Sequence, residues 1–229
     1  MPNFQVASGN KVKVFVALLP LGSRTEPVNV NITAGSGITS NATSVTVSAL
    51  SGPIAGGTPL TFTNGNGSRT VYVASDVLAG ATSIPIEAAS GALAGSATAT
   101  YTAKLRLNGG TQLSVDLSAE RTESLVFEDP LGYQDGVITS QSWSMPWTAN
   151  LLSNDDAFRR VFYAASEAVS GREVYIWQED PPPAGATTGD GIKGAAVITN
   201  FQKSLQSAQI ATCSFTIQGQ GSPTITRYS

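Results

Sequence analysis

The amino-acid sequence predicts a mainly β protein, with a β-barrel or β-sandwich core, one packed α-helix and a small inserted β-domain. Three observations in the 229 residues lead to this fold class. Apolar and polar residues alternate in several segments, as they do in half-buried strands. One segment shows the helical spacing of apolar residues. A further stretch is almost free of charge and contains an internal repeat.

The alternation begins near the N-terminus, in the Lys-Val-Lys-Val-Phe-Val of residues 11–16. Further along, Leu113, Val115 and Leu117 alternate with polar residues, so we expect one strand that carries these side chains on its apolar face. The same period of two recurs in three later segments, residues 142–147, 173–177 and 211–217. The last of these segments predicts that Cys213 is a small buried side chain rather than a nucleophile.

One helix is predicted to begin near residue 154. Ser153 or Asn154 is a good N-cap, and the two aspartates that follow favour the first turn through the helix dipole. Gly171 supplies a left-handed stop. The apolar side chains form one stripe, expected to pack on a sheet: Phe158, Val161, Phe162, Ala165 and Val169. Arg160 lies off this stripe.

Charge is distributed unevenly along the chain. Residues 28–103 hold only three of the 29 charged residues, and Pro27 and Lys104 mark the edges of this stretch. So abrupt a change in composition indicates a separate unit. We therefore predict an inserted β-domain at 28–103, within a core domain formed by residues 1–27 and 104–229.

The predicted insert contains a repeat. Residues 42–63 align with residues 81–102 at an offset of 39, and ten of the 22 aligned positions are identical. Each copy has the pattern of a strand, a Gly-containing turn and a second strand. Two such copies predict a small β-barrel or sandwich with pseudo-twofold symmetry.

The composition excludes several classes of chemistry. The chain has no histidine and one cysteine, which excludes Ser-His-Asp and Cys-His catalysis, imidazole metal ligation and a thiolate zinc site. The net charge is −3 without a basic cluster, which argues against a nucleic-acid-binding surface. We expect no enzymatic activity, no catalytic residue, no cofactor and no metal. No signal peptide or transmembrane segment is expected either.

Two other motifs have simpler explanations than a ligand site. Residues 189–194, Gly-Asp-Gly-Ile-Lys-Gly, match the G-x-G-x-x-G string, but a Pro-rich loop precedes them and a strand-like segment follows. This context favours the entry to a hairpin over a dinucleotide site. Trp143, Trp147 and Trp177 could line a carbohydrate cleft, but core or subunit-interface positions are favoured.

The order of elements in the C-terminal half resembles the major tail tube proteins of long-tailed bacteriophages. The resemblance covers about residues 105–225, with residues 10–21 as the first strand of that family. It rests on these segments: LSVDLSAE (113–120), GVITSQSWS (136–144), FRRVFYAA (158–165), GREVYI (171–176), GAAVITNF (194–201) and ATCSFTIQGQG (211–221).

The resemblance implies a structural virion protein of the phage tail that is assembled in the bacterial host cytoplasm. Its subunits would form hexameric rings, which stack into the tube that conducts genome DNA during ejection. Tape measure, terminator and baseplate or tip proteins would be its partners, and DNA would pass without specific binding. No membrane partner is implied. An outward insert would hinder a contractile sheath, so we expect a non-contractile, siphophage tail.

Two stiff loops, residues 128–136 and 179–191, are expected to contact neighbouring subunits or rings. The predicted contact residues are Glu128, Asp129, Pro130, Tyr133, Asp135, Glu179, Asp180, Pro181, Pro182 and Pro183. The alternative function is a carbohydrate- or cell-surface-binding virion module with its ligand site on the insert. The small number of aromatic residues in the insert weighs against this alternative, since a sugar platform needs several. The insert has three: Phe62, Tyr72 and Tyr101.

Overall fold

The computed structural model describes residues 12–124, 135–152, 155–167, 171–205 and 209–227. Within these ranges the protein is mainly β, with several antiparallel sheets and one helix, α1 (Asp156–Ser166). The mainly β fold class with one packed helix is therefore confirmed. No described helix has the length and apolar character needed to cross a membrane.

Seventeen strands are described. The first ten are β1 (Lys13–Leu18), β2 (Val30–Ala34), β3 (Gly37–Ile38), β4 (Ser44–Thr46), β5 (Pro59–Asn64), β6 (Gly67–Tyr72), β7 (Ser83–Pro85), β8 (Leu93–Ala94), β9 (Ala97–Tyr101) and β10 (Leu105–Arg106). The others are β11 (Gly110–Leu113), β12 (Asp116–Ser124), β13 (Asp135–Asn150), β14 (Val174–Glu179), β15 (Gly191–Ser204), β16 (Thr212–Gly219) and β17 (Thr224–Thr226).

The largest sheet has nine strands in the order β10-β1-β14-β15-β16-β13-β11, with β12 also paired to β13 and β17 also paired to β15. All of its pairings are antiparallel. In the described residues β10 does not pair with β11 or β12, so the sheet is open. A hydrogen-bonded barrel, one of the two forms expected for the core, is not formed by this sheet.

The segment around residues 112–117 differs from its prediction as a single strand. It forms the end of β11 and the start of β12, which pair with successive parts of β13. The break between the two strands lies opposite Pro146 of β13, a residue without an N–H to donate to a neighbouring strand. Leu117 lies on β12 with 61% of its surface exposed, so it does not belong to the monomer's core as predicted.

The helix begins later than predicted. Its N-cap is Asp155, whose carboxylate accepts a hydrogen bond from the Ala157 backbone N–H at 2.9 Å, rather than Ser153 or Asn154, which lie outside the described residues. Aspartate at this position satisfies a free N–H and suits the positive end of the helix dipole. The helix ends at Ser166 and does not reach the predicted stop.

The buried face of α1 also differs from the predicted stripe. Ala157, Val161 and Ala164 are buried against the nine-stranded sheet, whereas Phe162 is 51% exposed. The small alanines allow the helix to approach the sheet closely. Arg160, predicted to lie off the stripe, is 2% exposed because backbone carbonyls at the junction with residues 102–103 satisfy its guanidinium.

Three hydrophobic clusters hold the fold together. One draws all of its buried residues from positions 30–103. A second lies between α1 and one face of the nine-stranded sheet and includes Cys213, so the prediction of a buried cysteine is confirmed. The third, on the opposite face, includes Tyr175 and Trp177. The division into two domains remains a prediction.

Residues 39 positions apart within 30–103 make equivalent main-chain contacts. The pair Ala34 and Val47 corresponds to the pair Val73 and Ile86. In the same way, Ile38 with Leu93 corresponds to Val77 with Ile54, and Val30 with Tyr101 corresponds to Arg69 with Phe62. The strands β4 and β7 pair with each other so that Val45 lies opposite its own equivalent, Ile84. The equivalence extends beyond the aligned residues 42–63 and 81–102 to both flanking strand pairs.

Candidate assembly surface

The open sheet leaves main-chain groups without partners at its edges. The strand β12 pairs with β13 on one side only, and its other side has no strand partner in the part of the chain that the structure describes. At the other end of the sheet order, β10 pairs with β1 and with no other described strand. Strand edges of this kind are the sites where another chain can add by main-chain hydrogen bonds.

The hairpin formed by β12 and β13 exposes large apolar side chains. Leu117, Val137 and Ile138 are each more than half exposed. Cross-strand pairing places Leu117 opposite Trp143 and Val137 opposite Thr122. Apolar groups concentrated on a projecting hairpin are typical of protein contact surfaces.

A groove of about 520 Å³ lies beside this hairpin, between residues 117–119 and 141–143 on one side and residues 221–225 on the other. Its apolar lining includes Leu117, Trp143, Pro223 and Ile225. The indole N–H of Trp143 donates to the Gly221 carbonyl at 2.9 Å and fixes one wall. The groove therefore extends the exposed apolar surface of the hairpin toward the C-terminal strand.

The face of the sheet opposite α1 carries a charged cluster. The Glu26 carboxylate accepts hydrogen bonds from the Trp177 indole at 2.8 Å and from the Lys193 ammonium at 2.7 Å. Burial alone would raise the pKa of Glu26, but these two bonds outweigh it and lower the pKa. Nearby, Arg24 forms an ion pair with Glu173 at 3.0 Å. These contacts fix the segment that leads from β1 to β2 against the sheet.

An acidic side chain joins the 28–103 segment to the nine-stranded sheet. The Asp76 carboxylate accepts from the backbone N–H groups of Leu21 and Gly56 and from Arg172, each at 2.7 Å. Burial would raise the pKa of Asp76, but these three donors lower it. Three segments distant in sequence therefore meet at one carboxylate.

A buried arginine forms the second connection. Arg160 donates to the carbonyls of Thr102 at 2.6 Å, Ala103 at 2.7 Å and Val16 at 3.3 Å. Its guanidinium also lies 5.2 Å from the ring centre of Tyr101. Burial lowers the pKa of Arg160 from its usual value. The 28–103 segment is thus held to α1 and β1 by directional hydrogen bonds.

Tyr163 of the same helix packs directly on Gly57. A Cβ added to Gly57 would lie 2.4 Å from the Tyr163 ring, and the glycine has a φ of +78°. Both the close approach and the left-handed backbone therefore require glycine at this position.

The 128–136 loop falls largely outside the described residues. Four predicted contact residues lie there: Glu128, Asp129, Pro130 and Tyr133. The backbone of Asp135 begins β13 and pairs with Ser124, so the end of the predicted loop is part of the hairpin. Its role in assembly stays a prediction.

The second predicted loop connects β14 to β15. Glu179 is the last residue of β14 and forms an ion pair with Lys104. The Asp180 carboxylate accepts from the Gln178 side chain at 2.7 Å. The remaining residues, Pro181, Pro182 and Pro183, follow with the last two exposed. The role of this loop in assembly also stays a prediction.

The G-x-G-x-x-G string lies at a hairpin entry, as predicted. Gly191 begins β15, and a Cβ added there would lie 2.2 Å from the Gln178 carbonyl oxygen. At Gly189 the added Cβ would lie 2.0 Å from the Asp180 carbonyl oxygen. These glycines allow the main chain at the start of β15 to lie directly against the end of β14 and the residues after it. The string is followed by a strand, whereas a dinucleotide site requires a helix there.

The aromatic residues considered for carbohydrate binding are mostly buried. Trp143, Trp147 and Trp177 are each less than 10% exposed and belong to the hydrophobic clusters. In the 28–103 segment, Phe62 and Tyr101 are also buried in the cluster. These five rings therefore supply packing rather than an exposed platform for sugars.

No family model and no curated protein matches this chain. Among solved structures, it is similar to a chain in the tail of an empty GTA particle, computed with helical refinement in C6 symmetry. The two share 13% sequence identity with a TM-score of 0.43, and the match covers 55% of this chain and 87% of the other.

Sequence reasoning missed the exposed apolar residues of the hairpin. Val137 and Ile138 are two adjacent apolar residues in a polar segment, and Leu117 belongs to a regular alternating segment. Periodicity identifies an apolar face but does not say whether the same chain covers it. The free edge of β12 is a property of topology, which no local motif in the sequence encodes.

Proposed function

We propose that this protein is a structural subunit of a phage tail tube. Copies would assemble into hexameric rings, and the rings would stack into a conduit for genome DNA during ejection. The observation that carries the proposal is the open nine-stranded sheet, with unpaired edges and a hairpin that exposes Leu117, Val137 and Ile138.

The free edge of β12 supports self-association because its main-chain groups can pair with a strand of another copy. Its nine residues contain no proline and no lysine, two residues that commonly block unwanted strand addition. A monomer with such an edge is prone to irregular aggregation, whereas a closed ring covers every edge. Assembly therefore turns a liability of the monomer into the contact that builds the ring.

The charge balance suits passage of DNA rather than capture. Outside residues 28–103 the chain has 12 basic and 14 acidic residues. Tight binding of duplex DNA requires several positive groups on neighbouring phosphates. A lumen without such a cluster would let DNA slide during ejection, and the subunit would need no catalytic activity.

The 28–103 segment is proposed to project from the outside of the tube. An inward projection of this size would obstruct the channel, and the bonds to Asp76 and Arg160 would hold it in a constant position on each subunit. Contacts with tape measure, terminator and tip proteins belong to the same proposal, as does a place in the virion tail.

The direct test is electron microscopy of the purified protein at increasing concentration. We expect rings with sixfold symmetry and short stacked tubes, accompanied by a matching increase in sedimentation coefficient. Protein that stays monomeric at every concentration and in crowded solution, with no rings on the grid, would contradict the proposal.

A further inference from the structure

The chain contains three Asn-Gly pairs: Asn64-Gly65, Asn66-Gly67 and Asn108-Gly109. Asparagine before glycine is prone to deamidation, because glycine has no side chain to hinder attack of its backbone nitrogen on the asparagine side chain. The fold places the three pairs in different surroundings. Their reactivity in the folded protein should therefore differ, although their local chemistry is the same.

The pair Asn66-Gly67 lies at the turn of the β5–β6 hairpin. Both residues are exposed, and a Cβ added to Gly67 would meet no atom within 4 Å. Within the part of the chain that the structure describes, the Asn66 side chain makes one hydrogen bond, from its Nδ2 to the Ala94 carbonyl at 3.1 Å. Once this bond opens, the side chain is free to turn toward the Gly67 nitrogen.

Asn64 is held more firmly, although it belongs to the same hairpin. Its Nδ2 donates to the carbonyls of Ala94 at 2.8 Å and Ser96 at 3.1 Å. Its Oδ1 accepts from the Asn66 backbone N–H at 2.8 Å. Rotation of this side chain toward the Gly65 nitrogen would therefore break three hydrogen bonds.

The third pair is held by its side chain and by its main chain. The Asn108 Nδ2 donates to the Arg106 carbonyl at 3.2 Å and to the Asp155 carboxylate at 3.3 Å. The Gly109 carbonyl accepts from the Asn150 N–H at 2.9 Å, and a Cβ added to Gly109 would lie 2.6 Å from the Asn150 carbonyl oxygen. The Gly109 backbone therefore has little freedom to approach the Asn108 side chain.

We propose that Asn66 is a site of spontaneous deamidation in the folded protein, and that the fold protects Asn64 and Asn108. The Gly67 nitrogen attacks Cγ of Asn66, so that a new N–C bond forms and the bond from Cγ to Nδ2 breaks. Nδ2 leaves as ammonia and takes the amide proton of Gly67 with it. Water then opens the resulting cyclic imide at either carbonyl, which leaves an aspartate or an isoaspartate at position 66.

Either product weakens the contact between two turns. A carboxylate at position 66 adds one negative charge and has no hydrogen to donate to the Ala94 carbonyl. An isoaspartate also adds one carbon atom to the main chain, next to the pairing of Asn64 with Gly67. The turn between β5 and β6 is then held less firmly to the turn between β8 and β9. This modification does not depend on the assembly of the protein into a tube.

Incubation of the full-length protein at alkaline pH, followed by trypsin digestion and mass spectrometry, tests the site. Trypsin releases Asn64 and Asn66 within residues 25–69 and Asn108 within residues 107–121, and fragmentation assigns the modified position. We expect Asn66 to react at least about tenfold faster than the other two, because their additional hydrogen bonds must break first. Incubation in heavy-oxygen water labels only the products formed before digestion.

Unfolded protein and two matched variants are the controls. In urea the three pairs should react at similar rates, since the protecting bonds are lost. On isoelectric focusing, Asn66→Ser should abolish the acidic species that forms during incubation of the folded protein, whereas Asn108→Ser should leave it unchanged. The inference is overturned if Asn66 stays unmodified in the folded protein, if Asn64 or Asn108 reacts as fast as Asn66 there, or if the lead of Asn66 is the same in urea.

Discussion

The Arg172 guanidinium donates to the Asp76 carboxylate at 2.7 Å, across 96 residues of sequence. Arg172 side-chain atoms are 7% exposed and those of Asp76 are 21% exposed, so the pair is largely removed from water. The same carboxylate also accepts two backbone N–H groups, from Leu21 and Gly56. This pair is the polar centre of the junction between the 28–103 segment and the nine-stranded sheet.

Replacing Asp76 with alanine should lower the free energy of unfolding by about 2–4 kcal/mol, because it leaves a buried guanidinium and two N–H groups without an acceptor. Urea denaturation measures this change. Glu87→Ala, an exposed acidic residue of the same segment, is the control and should change stability by less than about 0.5 kcal/mol. Equal effects of the two substitutions would show that the junction adds no stability.

The same carboxylate predicts sensitivity to acid. The pKa of Asp76 is lowered below its ordinary value of 3.8 in the folded protein. Its contribution to stability is complete above that value and is lost as the pH falls through the lower folded pKa. Melting temperatures should therefore drop more steeply below pH 3.8 in the unaltered protein than in Asp76→Asn. Parallel curves for the two proteins would contradict this linkage.

Arg160 predicts a second effect on stability. Arg160→Met keeps much of the side-chain volume but leaves the carbonyls of Thr102 and Ala103 without their donor. We expect a loss of about 2–3 kcal/mol, measured by urea denaturation. The neighbouring Arg159, whose side chain is 46% exposed, pairs with Asp156 at 3.5 Å. Arg159→Met should therefore cost less than about 0.5 kcal/mol, and a similar loss at both positions would refute the argument.

Asn200 lies in a bulge of β15, with a φ of +53°. Asn200→Val should destabilise the protein by about 1–2 kcal/mol because a β-branched residue is strained in the left-handed region. Asn200→Gly should be neutral to slightly stabilising, since glycine accepts this φ without strain. The melting temperatures of the two variants measure this difference. Equal melting temperatures would show that backbone strain at this position does not affect stability.

The exposed apolar residues of the hairpin predict a change in assembly without a change in stability. Val137→Ser combined with Ile138→Ser should raise the protein concentration required for assembly by about tenfold, as apolar area is lost from the contact. The melting temperature of the monomer should stay within about 2 °C because both side chains are already more than half exposed. A control with Leu78→Ser, 73% exposed in the 28–103 segment, should assemble normally.

The buried face of a strand could be predicted where the alternation within one short segment determines which side chains enter the core. Trp143, Met145 and Trp147 share the core face that their alternation predicts. The helix was less predictable, since Arg160 is buried by carbonyls at positions 57 and 58 residues away. Phe201 shows a third limit. The bulge at Asn200 shifts the alternation by one residue and turns this ring toward Phe158 and the core.

The candidate assembly surface was only partly accessible to sequence reasoning. The loop after β14 was located correctly as a connection, but the exposed edges depend on which strands become neighbours. Strand order follows from contacts between distant segments, such as β1 with β14 and β13 with β16. Local alternation carries no information about such order.

Residues 30–103 consist of two similar halves, which pair with each other as the two subunits of a symmetric dimer would. Val45 lies against its own equivalent Ile84, and β5 lies beside its counterpart β9. The apolar side chains of both halves form one buried cluster, so neither half can be deleted alone without exposing a core. One half by itself would need a second molecule to cover its apolar side chains, whereas in this chain a peptide connection keeps that partner at hand.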